Sequence, residues 1–585
     1  MTTLRPNALL FLVPVLLAAC GAGSGGPDAA AGDIAADTAP PADTAGDAAG
    51  DAAPDAPPAT SVGCGPSLRA PDTGWYRTAV VYEVFVRSFR DADGDGNGDL
   101  PGLIEKLDYL NDGDPATDDD LGVTALWLMP VTAAASYHGY DVVDYYDIEP
   151  DYGTLADFDA LVAAAEQRGI RVIVDLVLNH TSLQHPWFVD AATGPGAAHR
   201  DWYVWSAEDL DWSRPTGAGG PAWNLRGDSY YYAAFAASMP DLNYTNPAVR
   251  DEALAISRFW LGHGVAGFRL DAVRFLIETG PAQGQRDTAE TIAFWTDWRQ
   301  TLEETHPDAV HVAEAWASRA GVLPYFGTAD DPGLQMAFDF DLQLAIDEDL
   351  RGTGAPDDID DALCAAVEDT PAHAQNAPFL SNHDQTRFAT RVGRDLPRLK
   401  LGAALLLTLP GTPFLYYGEE IGLPNGGTPV DEMKRLPMRW DDSAGFGFTS
   451  GTPWYDPRYA ADAPTVAGQT GDPASLLSHY RGLVRLRGAH PALSAGRMEL
   501  LPAESLSAAE LLAYVRQEGD ETLLVVHNTG ETDLAGVTVD LAGLVLPSAT
   551  PAVGAVLWGE AAVTAAGTVL TLDAVPARGS VVLEL

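Results

Sequence analysis

Residues 154–180 read TLADFDALVAAAEQRGIRVIVDLVLNH, a helix pattern followed directly by a strand pattern. Thr154 can cap a helix at its first turn, an apolar stripe continues towards Arg168, and Gly169 is a typical helix stop. The run Val172–Leu178 is short, apolar and rich in β-branched residues, as strands are. The stretch predicts one repeat of an alternating α/β fold.

The same alternation of strand and helix patterns continues along the chain from Trp75. A second long helix pattern runs from Pro247 to His263. Eight parallel strands linked by helices close into a (β/α)8 TIM barrel, so we predict that α/β fold, with insertions. Besides Val172–Leu178, the predicted strands are Val80–Val86, Val123–Met129, Gly267–Leu270, Val310–Ala313, Met336–Phe340, Pro378–Ser381 and Pro413–Tyr417.

Changes in composition divide the chain into four predicted regions. Residues 1–20 form a signal peptide, and residues 21–71, almost entirely Ala, Asp, Pro, Gly and Thr, form a disordered acidic tether because they cannot bury a core. Residues 72–494 form the barrel, with an inserted subdomain after the third strand, at about 181–243, that is rich in Trp, Tyr and Gly. Alternating strand patterns in residues 495–585 predict a C-terminal antiparallel β-sandwich domain.

Residues 1–20 have the layout of an export signal, in which Arg5 precedes an apolar core, Ala8–Leu17, that is too short to span a bilayer. The ending Leu17-Ala-Ala-Cys20 resembles the bacterial lipobox. This resemblance implies that Cys20 is lipidated and that the protein crosses the inner membrane and stays lipid-anchored, at the outer membrane or the cell surface. The alternative is ordinary secretion with an incidental cysteine.

The formal charge of −49 argues against nucleic acid and anionic membrane surfaces as partners, because both would be repelled. It is compatible with a neutral or cationic ligand, and with a charge that merely keeps a secreted protein soluble. Apart from Cys20, the cysteines are Cys64 and Cys364, and neither has metal-ligand spacing to another Cys or His. They could form a disulfide in an oxidising compartment or remain two thiols.

Polar residues at the carboxyl ends of barrel strands face the active site. The acids at three of these ends, Asp271, Glu314 and Asp384, are the candidates for catalysis. Each of these three carboxylates also has a purely structural explanation. Asp271 could cap a helix. Glu314 could pair with Arg319, and Asp384 could pair with Arg387. The whole set of polar residues at strand ends is Asp175, Asn179, His180, Arg269, Asp271, Glu314, Asn382, His383 and Asp384.

Taken together, these residues suit the cleavage of a glycosidic bond, which needs one protonated and one ionised carboxyl group. Arg269 lies two residues before Asp271 on one strand face, where it should lower the pKa of Asp271 and favour it as the nucleophile. Glu314 follows an apolar strand and precedes Trp316, so burial should raise its pKa and suit it to acid/base catalysis. A third carboxylate with histidine donors can hold sugar hydroxyls and stabilise positive charge in the ring.

Four segments, in this order, resemble the four short signatures of the α-amylase family of glycoside hydrolases, and the similarity spans about residues 75–585. The segments are 175–180 (DLVLNH), 267–271 (GFRLD), 312–316 (VAEAW) and 379–384 (FLSNHD).

The resemblance implies a role for each matching residue. Asp271 would be the nucleophile, Glu314 the acid/base and Asp384 the carboxylate that stabilises the transition state. The glucose unit on the non-reducing side of the cleaved bond would be bound by His180, Arg269, His383 and Tyr140, whose ring matches the stacking tyrosine of the family.

Other positions indicate which members of the family the chain resembles most. Residues 239–243 (MPDLN) resemble the form found in a branch intermediate between oligo-1,6-glucosidases and neopullulanases, whose members often act on more than one linkage. Many-subsite amylases carry Lys-His where this chain has Arg274-Phe275, which puts a conventional reducing-side subsite in question. Exo-acting α-glucosidases place an Asp where this chain has Tyr137, so the resemblance favours internal cleavage.

Residues 91–99 (DADGDGNGD) place acidic oxygens at alternate positions, with glycines that permit a tight wrap. Oxygen ligands suit a hard cation, so the run predicts a Ca²⁺ site after the first strand. Position twelve is Gly102, so the run is no EF-hand; it resembles the calcium loop of oligo-1,6-glucosidase-like members. The alternative is an acidic surface turn without an ion. The predicted ligands are Asp91, Asp93, Asp95, Asn97 and Asp99.

The sequence thus predicts a calcium-stabilised retaining enzyme that hydrolyses α-1,4 bonds in starch or maltodextrins, with endo-action favoured and an α-glucan as its partner. Two alternatives stay open. The first is an α-glucosidase or transglycosylase on the same scaffold, because the choice between water and a sugar as acceptor is not legible in the sequence. The second is a non-catalytic glucan-binding lipoprotein.

Overall fold

Eight short parallel strands form the central barrel of the computed structural model, which describes residues 64, 74–216, 219–354, 358–427, 430–460, 462–546 and 552–585. Strands that follow one another in sequence lie side by side, and a parallel bridge between Phe379 and Phe414 brings the last two together in a nearly closed ring. The strands are β1 (Val81–Val84), β2 (Ala125–Leu128), β3 (Arg171–Leu176), β4 (Gly267–Leu270), β5 (Val310–Ala313), β6 (Met336–Phe338), β7 (Gln375–Ala377) and β8 (Phe414–Tyr416).

Helices connect the strands of the barrel, as the alternating pattern predicts. The two helices indicated by the sequence are present, over Leu155–Glu166 and Pro247–Gly262, and Thr154 caps the first of them. Among the described residues, every helix is too short or too polar to span a lipid bilayer. The other α-helices run over Leu100–Glu105, Leu107–Leu110, Pro186–Ala191, Ala289–Glu303, Arg319–Val322, Phe340–Arg351, Asp358–Glu368, Phe388–Arg391, Leu396–Thr408, Asp431–Lys434, Val466–Gln469, Leu476–Ala489 and Pro491–Ser494.

Side-chain alternation along the strands separates the barrel interior from the layer under the helices. Val81 and Ile173 belong to the inner apolar cluster, whereas Tyr82 belongs to the outer one. Because successive side chains point to opposite faces, the next inward positions on these strands are Glu83 and Asp175. On these two strands, polar side chains therefore enter the barrel near its carboxyl end, above an apolar interior.

One barrel strand lies at a different place in the sequence from the one predicted. The sequence pattern places the seventh strand at Pro378–Ser381, whereas the observed strand runs over Gln375–Ala377. Its polar residues gave no strand signal because their partners are distant in sequence: the Gln375 side-chain amide donates to Thr412 Oγ1 at 2.7 Å inside the protein. Polar pairing takes the place of apolar packing at this end of the barrel.

The segment between β3 and β4 folds onto the barrel as a small unit of its own. Its aromatic residues form a core that includes Trp223 and Tyr232. The backbone of Asp241 pairs with that of His180, which fastens the end of this segment beside the end of β3. Its elements are the helix Pro186–Ala191 and an antiparallel sheet in the order Trp205–Ser206, Ser229–Tyr232, Trp223–Arg226; a separate hairpin, Thr132–Ala134 with Val142–Ile148, follows β2.

Two antiparallel sheets form the C-terminal domain and pack around one apolar cluster, as expected for a β-sandwich. The Tyr514 hydroxyl lies 2.6 Å from Thr408 Oγ1 and ties the first sheet to the barrel. The sheets run in the orders β9-β10-β11-β16-β13 and β12-β15-β14, where the strands are β9 (Arg497–Leu500), β10 (Leu511–Glu518), β11 (Glu521–Asn528), β12 (Leu534–Asp540), β13 (Val556–Trp558), β14 (Val563–Ala566), β15 (Val569–Val575) and β16 (Ser580–Glu584).

A disulfide joins Cys64 to Cys364, with Cα atoms 5.2 Å apart. Of the two possibilities that the sequence leaves open for these cysteines, the structure has the bonded pair. Cys364 belongs to the helix Asp358–Glu368, so the bond fixes a residue that precedes the barrel to the helical layer around it. The predicted signal peptide (1–20), the lipidation site Cys20 and the tether (21–71, apart from Cys64) lie outside the described residues.

Candidate active site

The polar residues predicted at the strand ends converge at the carboxyl end of the barrel. Arg269 is on β4, Asp271 follows that strand directly, and Glu314 follows β5. His383 and Asp384 lie after β7. The alternative salt bridges are not formed, because Arg319 binds Asp339 at 3.0 Å and Arg387 donates to the backbone oxygens of Tyr417 and Lys434.

One buried guanidinium links three of the acidic residues. Arg269 Nη1 donates to Asp175 Oδ1 at 2.9 Å and to Asp271 Oδ1 at 2.7 Å. Its Nη2 lies 3.3 Å from Glu314 Oε1. The Arg269 side chain is fully buried, so these charge-assisted contacts are shielded from water. The shared partner holds Asp271 and Glu314 close together at the barrel mouth.

The carboxyl group of Glu314 titrates near neutral pH. Burial raises the pKa of Glu314 to about 7, and the nearby Asp271 and Asp384 charges add to this effect while Arg269 opposes it. Its Oε2 accepts a hydrogen bond from the backbone N–H of Ala272 at 2.9 Å, which fixes the carboxyl group. A carboxyl group of this kind suits a general acid, as the sequence predicts.

Asp271 differs from the expectation in the sign of its pKa shift. Burial raises the pKa of Asp271 even though Arg269 lowers it, because desolvation of the carboxylate outweighs the attraction of the guanidinium. The expected net lowering is therefore wrong. Asp271 still has the shorter contact with Arg269, 2.7 Å against 3.3 Å for Glu314, so it is the member of the pair that Arg269 better stabilises as an anion.

His383 lies between two carboxylates. Its Nδ1 is 2.6 Å from Glu83 Oε1 and its Nε2 is 2.9 Å from Asp384 Oδ2. Burial lowers the pKa of His383, but the two carboxylates outweigh it and raise the pKa to about 9. His383 is therefore a cation at neutral pH that donates from both ring nitrogens. Its contribution to stability is complete below its unfolded pKa and is lost as the pH rises through about 9.

Asp384 is the most strongly ionised carboxylate of the site. Burial alone would raise the pKa of Asp384, but His383 and Arg435 hold it well below its usual range. Arg435 Nη2 donates to Asp384 Oδ1 at 2.9 Å, and Arg435 Nε donates to the backbone oxygen of His383 at 3.0 Å. This side chain can therefore supply fixed negative charge near neutral pH.

Tyr140 and His180 lie beside these charged groups. The Tyr140 hydroxyl donates to Asp175 Oδ2 at 2.9 Å and lies 2.6 Å from His383 Nε2. His180 Nε2 lies 3.1 Å from the backbone oxygen of Tyr140. Burial lowers the pKa of His180, which keeps its ring neutral. The partly exposed Tyr140 ring is thus held by hydrogen bonds at its edge, with its orientation fixed.

A family profile described as the catalytic domain of α-amylase matches residues 83–496. The chain belongs to the α-amylase family. It is 39% identical over 467 residues to α-amylase 3 of Dictyoglomus thermophilum, covering 78% of this chain and 85% of that protein. It is 36% identical over 530 residues to the trehalose synthase/amylase of Mycobacterium tuberculosis, covering 80% and 84%. The crystal structure of an α-amylase from H. orenii superposes with a TM-score of 0.77 at 38% identity, over 87% of this chain and 99% of that one.

Membership of the α-amylase family shows that this is an enzyme acting on glucosidic bonds, within a barrel that carries a C-terminal β-domain. Relatives named as an amylase and as a trehalose synthase both align along most of the chain. Family membership therefore includes both hydrolysis and sugar transfer.

Two residues of this α-amylase-family site escaped the sequence analysis. Glu83 stands inside β1 rather than at its end, and an acidic residue at an inward position of an apolar strand was the available signal. Arg435 follows the short helix Asp431–Lys434, beyond the last barrel strand, where no strand-end rule applies. Its role depends on tertiary packing that local sequence does not encode.

The predicted calcium loop comes together in part. Asp91, Asp93 and Asp99 bring carboxylate oxygens within 4.8 Å of one another, and this donor set fits a hard cation. Asn97 Oδ1 instead accepts a hydrogen bond from Arg87 Nη1 at 2.6 Å. Asp95 Oδ1 accepts one from the backbone N–H of Asn97 at 2.7 Å. Asp91, Asp93 and Asp99 are therefore the members of the predicted set whose oxygens are grouped, and Ca²⁺ binding by the five predicted ligands stays a prediction.

Proposed function

We propose that the chain is a retaining α-glucan hydrolase that cleaves α-1,4 bonds inside starch chains or maltodextrins. The observation that carries this proposal is the joint contact of Asp271 and Glu314 with one guanidinium, at 2.7 and 3.3 Å. Retaining glycosidases need their two carboxyl groups close together, about 5 to 5.5 Å apart, because one attacks the sugar directly. Inverting enzymes separate the two groups further to admit a water molecule between them.

In the first step, Glu314 donates its proton to the glycosidic oxygen while Asp271 attacks the anomeric carbon. The bond to the leaving sugar breaks, and a covalent glycosyl ester on Asp271 forms. In the second step the Glu314 carboxylate takes a proton from water, and the water oxygen displaces Asp271. Asp384 and the His383 cation would hold the sugar hydroxyls as positive charge develops in the ring.

A transglycosylase on the same scaffold would differ only in the acceptor of the second step. A relative named trehalose synthase/amylase, 36% identical to this chain, supports this as the second candidate.

A product time course on soluble starch, maltotriose, pullulan and isomaltose tests the proposal. We expect oligosaccharides of mixed length early in starch digestion, because an endo-acting enzyme cuts within the chain. Proton NMR should detect the α-anomer of the new reducing end first. Glucose as the sole early product would mean exo-action, a first-formed β-anomer would mean inversion, and disaccharides formed by transfer would favour the transglycosylase.

We propose that Ca²⁺ binds Asp91, Asp93 and Asp99 and stabilises the loop that contains them. Chelation should then lower the Tm. A ligand at 100 times its Kd adds about 2.7 kcal/mol to the free energy of unfolding. Differential scanning calorimetry with EDTA, followed by added Ca²⁺, measures this change.

Asp93→Asn should abolish the response to Ca²⁺, while Asp118→Asn, at an exposed carboxylate in another loop, should retain it. An unchanged Tm after chelation would rule out the site.

We also propose that the enzyme acts outside the cytoplasm. The bond between Cys64 and Cys364 supports this location, because disulfides persist in oxidising compartments and are rare in reducing ones. Lipidation at Cys20 remains a prediction from the sequence.

A further inference from the structure

Glu83 is an acid buried inside the barrel, on a strand that is otherwise apolar or aromatic. In the parallel register of the sheet it lies between Tyr416 of β8 and Trp127 of β2. Its side chain is 2% exposed, and its Oε1 lies 2.6 Å from Nδ1 of the fully buried His383. A carboxylate at this depth loses its hydration, and His383 is the partner that offsets this cost.

The hydrogen bonds at the other nitrogen of His383 indicate which atoms carry protons. Nε2 lies 2.9 Å from Asp384 Oδ2 and 2.6 Å from the Tyr140 hydroxyl. That hydroxyl donates its own proton to Asp175 Oδ2, so towards His383 it acts as an acceptor. Nε2 therefore carries a hydrogen, and Nδ1 faces Glu83, which only accepts when it is ionised. With these carboxylates ionised, the ring of His383 is an imidazolium.

Charged and titratable groups from several elements surround His383. Burial disfavours the cation, but Asp384 and Glu83 outweigh that effect and raise the pKa of His383 to about 9. Glu83 is the carboxylate that contacts Nδ1, whereas Asp384 contacts Nε2. The other titratable or charged groups around the ring are Tyr140, Asp175, Arg435, which donates to the His383 backbone oxygen, and Arg269, which lies over the neighbouring Trp127 ring.

We propose that Glu83 is a positioning residue that holds His383 as an imidazolium and directs its Nε2–H towards Asp384. Because Glu83 occupies Nδ1, Nε2 is the nitrogen left to meet Asp384, Tyr140 and a sugar hydroxyl. The fixed cation in turn keeps Asp384 ionised where positive charge develops in the sugar. The inference rests on the proposed function, because Glu83 acts in that reaction through His383 and not by contact with the sugar.

Glu83→Gln separates the charge of this side chain from its size. Glutamine keeps an oxygen that can accept from Nδ1, but it carries no negative charge. An opposite charge within about 4 to 6 Å changes a pKa by about 1 to 3. The pKa of His383 should therefore fall from about 9 to between about 6 and 8 in this variant. His383 would then lose its charge in a pH range where the parent enzyme keeps it.

The kinetic test uses the Glu314→Gln background, so that titration of Glu314 does not hide that of His383. Pre-steady-state release of the phenol from 2,4-dinitrophenyl α-glucoside measures formation of the glycosyl intermediate. Its rate should be nearly constant between about pH 6.5 and 8 in this background. Adding Glu83→Gln should make the rate fall by at least about twofold over the same range. A loss of the same size at every pH would mean a merely structural role and would overturn the inference.

Glu521→Gln in the same background is the matched control. Glu521 Oε1 also lies 2.7 Å from Nδ1 of a histidine, His490, but Glu521 belongs to β11 of the C-terminal domain. This variant should leave the rate of phenol release nearly constant with pH. A pH dependence equal to that of Glu83→Gln would show that the effect is not specific to the pair of Glu83 and His383, and would also overturn the inference.

NMR of enzyme labelled with ¹⁵N in its histidines measures the charge of His383 without any substrate. Both ring nitrogens should give imidazolium signals at about pH 8 in the parent enzyme and lose them in Glu83→Gln. His383→Gln assigns the signals by their disappearance. Glu83→Asp keeps the negative charge and should keep the cation, and it replaces Glu83→Gln in both assays if that variant does not fold.

The NMR result decides the role of Glu83 independently of the reaction. A neutral His383 in the parent, an equally charged His383 in Glu83→Gln, or loss of the cation in Glu83→Asp would overturn the inference. Failure of the parent enzyme to act on any glucan would instead contradict the proposed function, so the two failures are distinguishable.

Discussion

Replacing Asp271 with asparagine is expected to reduce kcat on maltodextrins by on the order of 10⁴-fold, because the amide cannot form the covalent glycosyl ester. The barrel should remain folded, since Arg269 keeps its contacts with Asp175 and Glu314. Stopped assays with reducing-sugar detection measure the rate, and circular dichroism checks the fold.

A second variant at the same position separates a lost nucleophile from a general disturbance. Asp271→Gly opens space on one side of the sugar, so added azide should attack there and yield β-glucosyl azide from an activated α-glucosyl substrate. An Asp271→Asn enzyme with more than a few per cent of the parent rate would remove Asp271 from the nucleophile's role, as would rescue by azide with retained configuration.

Glu314→Gln is expected to lower kcat on maltodextrins by about 10²-fold or more, because no proton reaches the leaving oxygen. A substrate with a good leaving group, such as 2,4-dinitrophenyl α-glucoside, needs little protonation and should form the glycosyl intermediate at close to the parent rate. Pre-steady-state release of the phenol measures that step. Equal losses on both substrates would contradict the acid/base assignment.

The pH dependence of activity tests the role of Glu314 independently of the substitution. In the proposed mechanism Glu314 acts as an acid, so we expect activity to require its protonated form and to fall as the pH rises through its pKa of about 7. Asp271 must be ionised, and its raised pKa places the acidic limb above the usual value for an aspartate. The Glu314→Gln variant should lack the alkaline limb. If that limb persists in the variant, another group is responsible.

Much of this site is encoded locally. Asp271 and Glu314 directly follow strands that the apolar pattern reveals, and barrel geometry brings the strand ends together. Local patterns were sufficient there because each residue's position depends on one strand and its register.

The features that the sequence did not reveal depend on tertiary contacts. Glu83 reaches His383 across 300 residues of sequence, and Arg435 reaches Asp384 from a loop beyond the barrel. The direction of the Asp271 pKa shift depends on how completely neighbours exclude water, which a sequence pattern does not report. The seventh strand lies earlier in the sequence than predicted, because Gln375 is held by polar partners rather than by apolar packing.

The bond between Cys64 and Cys364 encloses 300 residues of sequence separation, including β1 through β6. This span has one consequence for a cut chain and one for a newly made chain. A single peptide-bond cut anywhere inside this span leaves both pieces covalently joined, so a nicked molecule can keep its barrel assembled. The thiols can meet only after residue 364 has emerged, so their oxidation marks a chain whose first six barrel strands are already made.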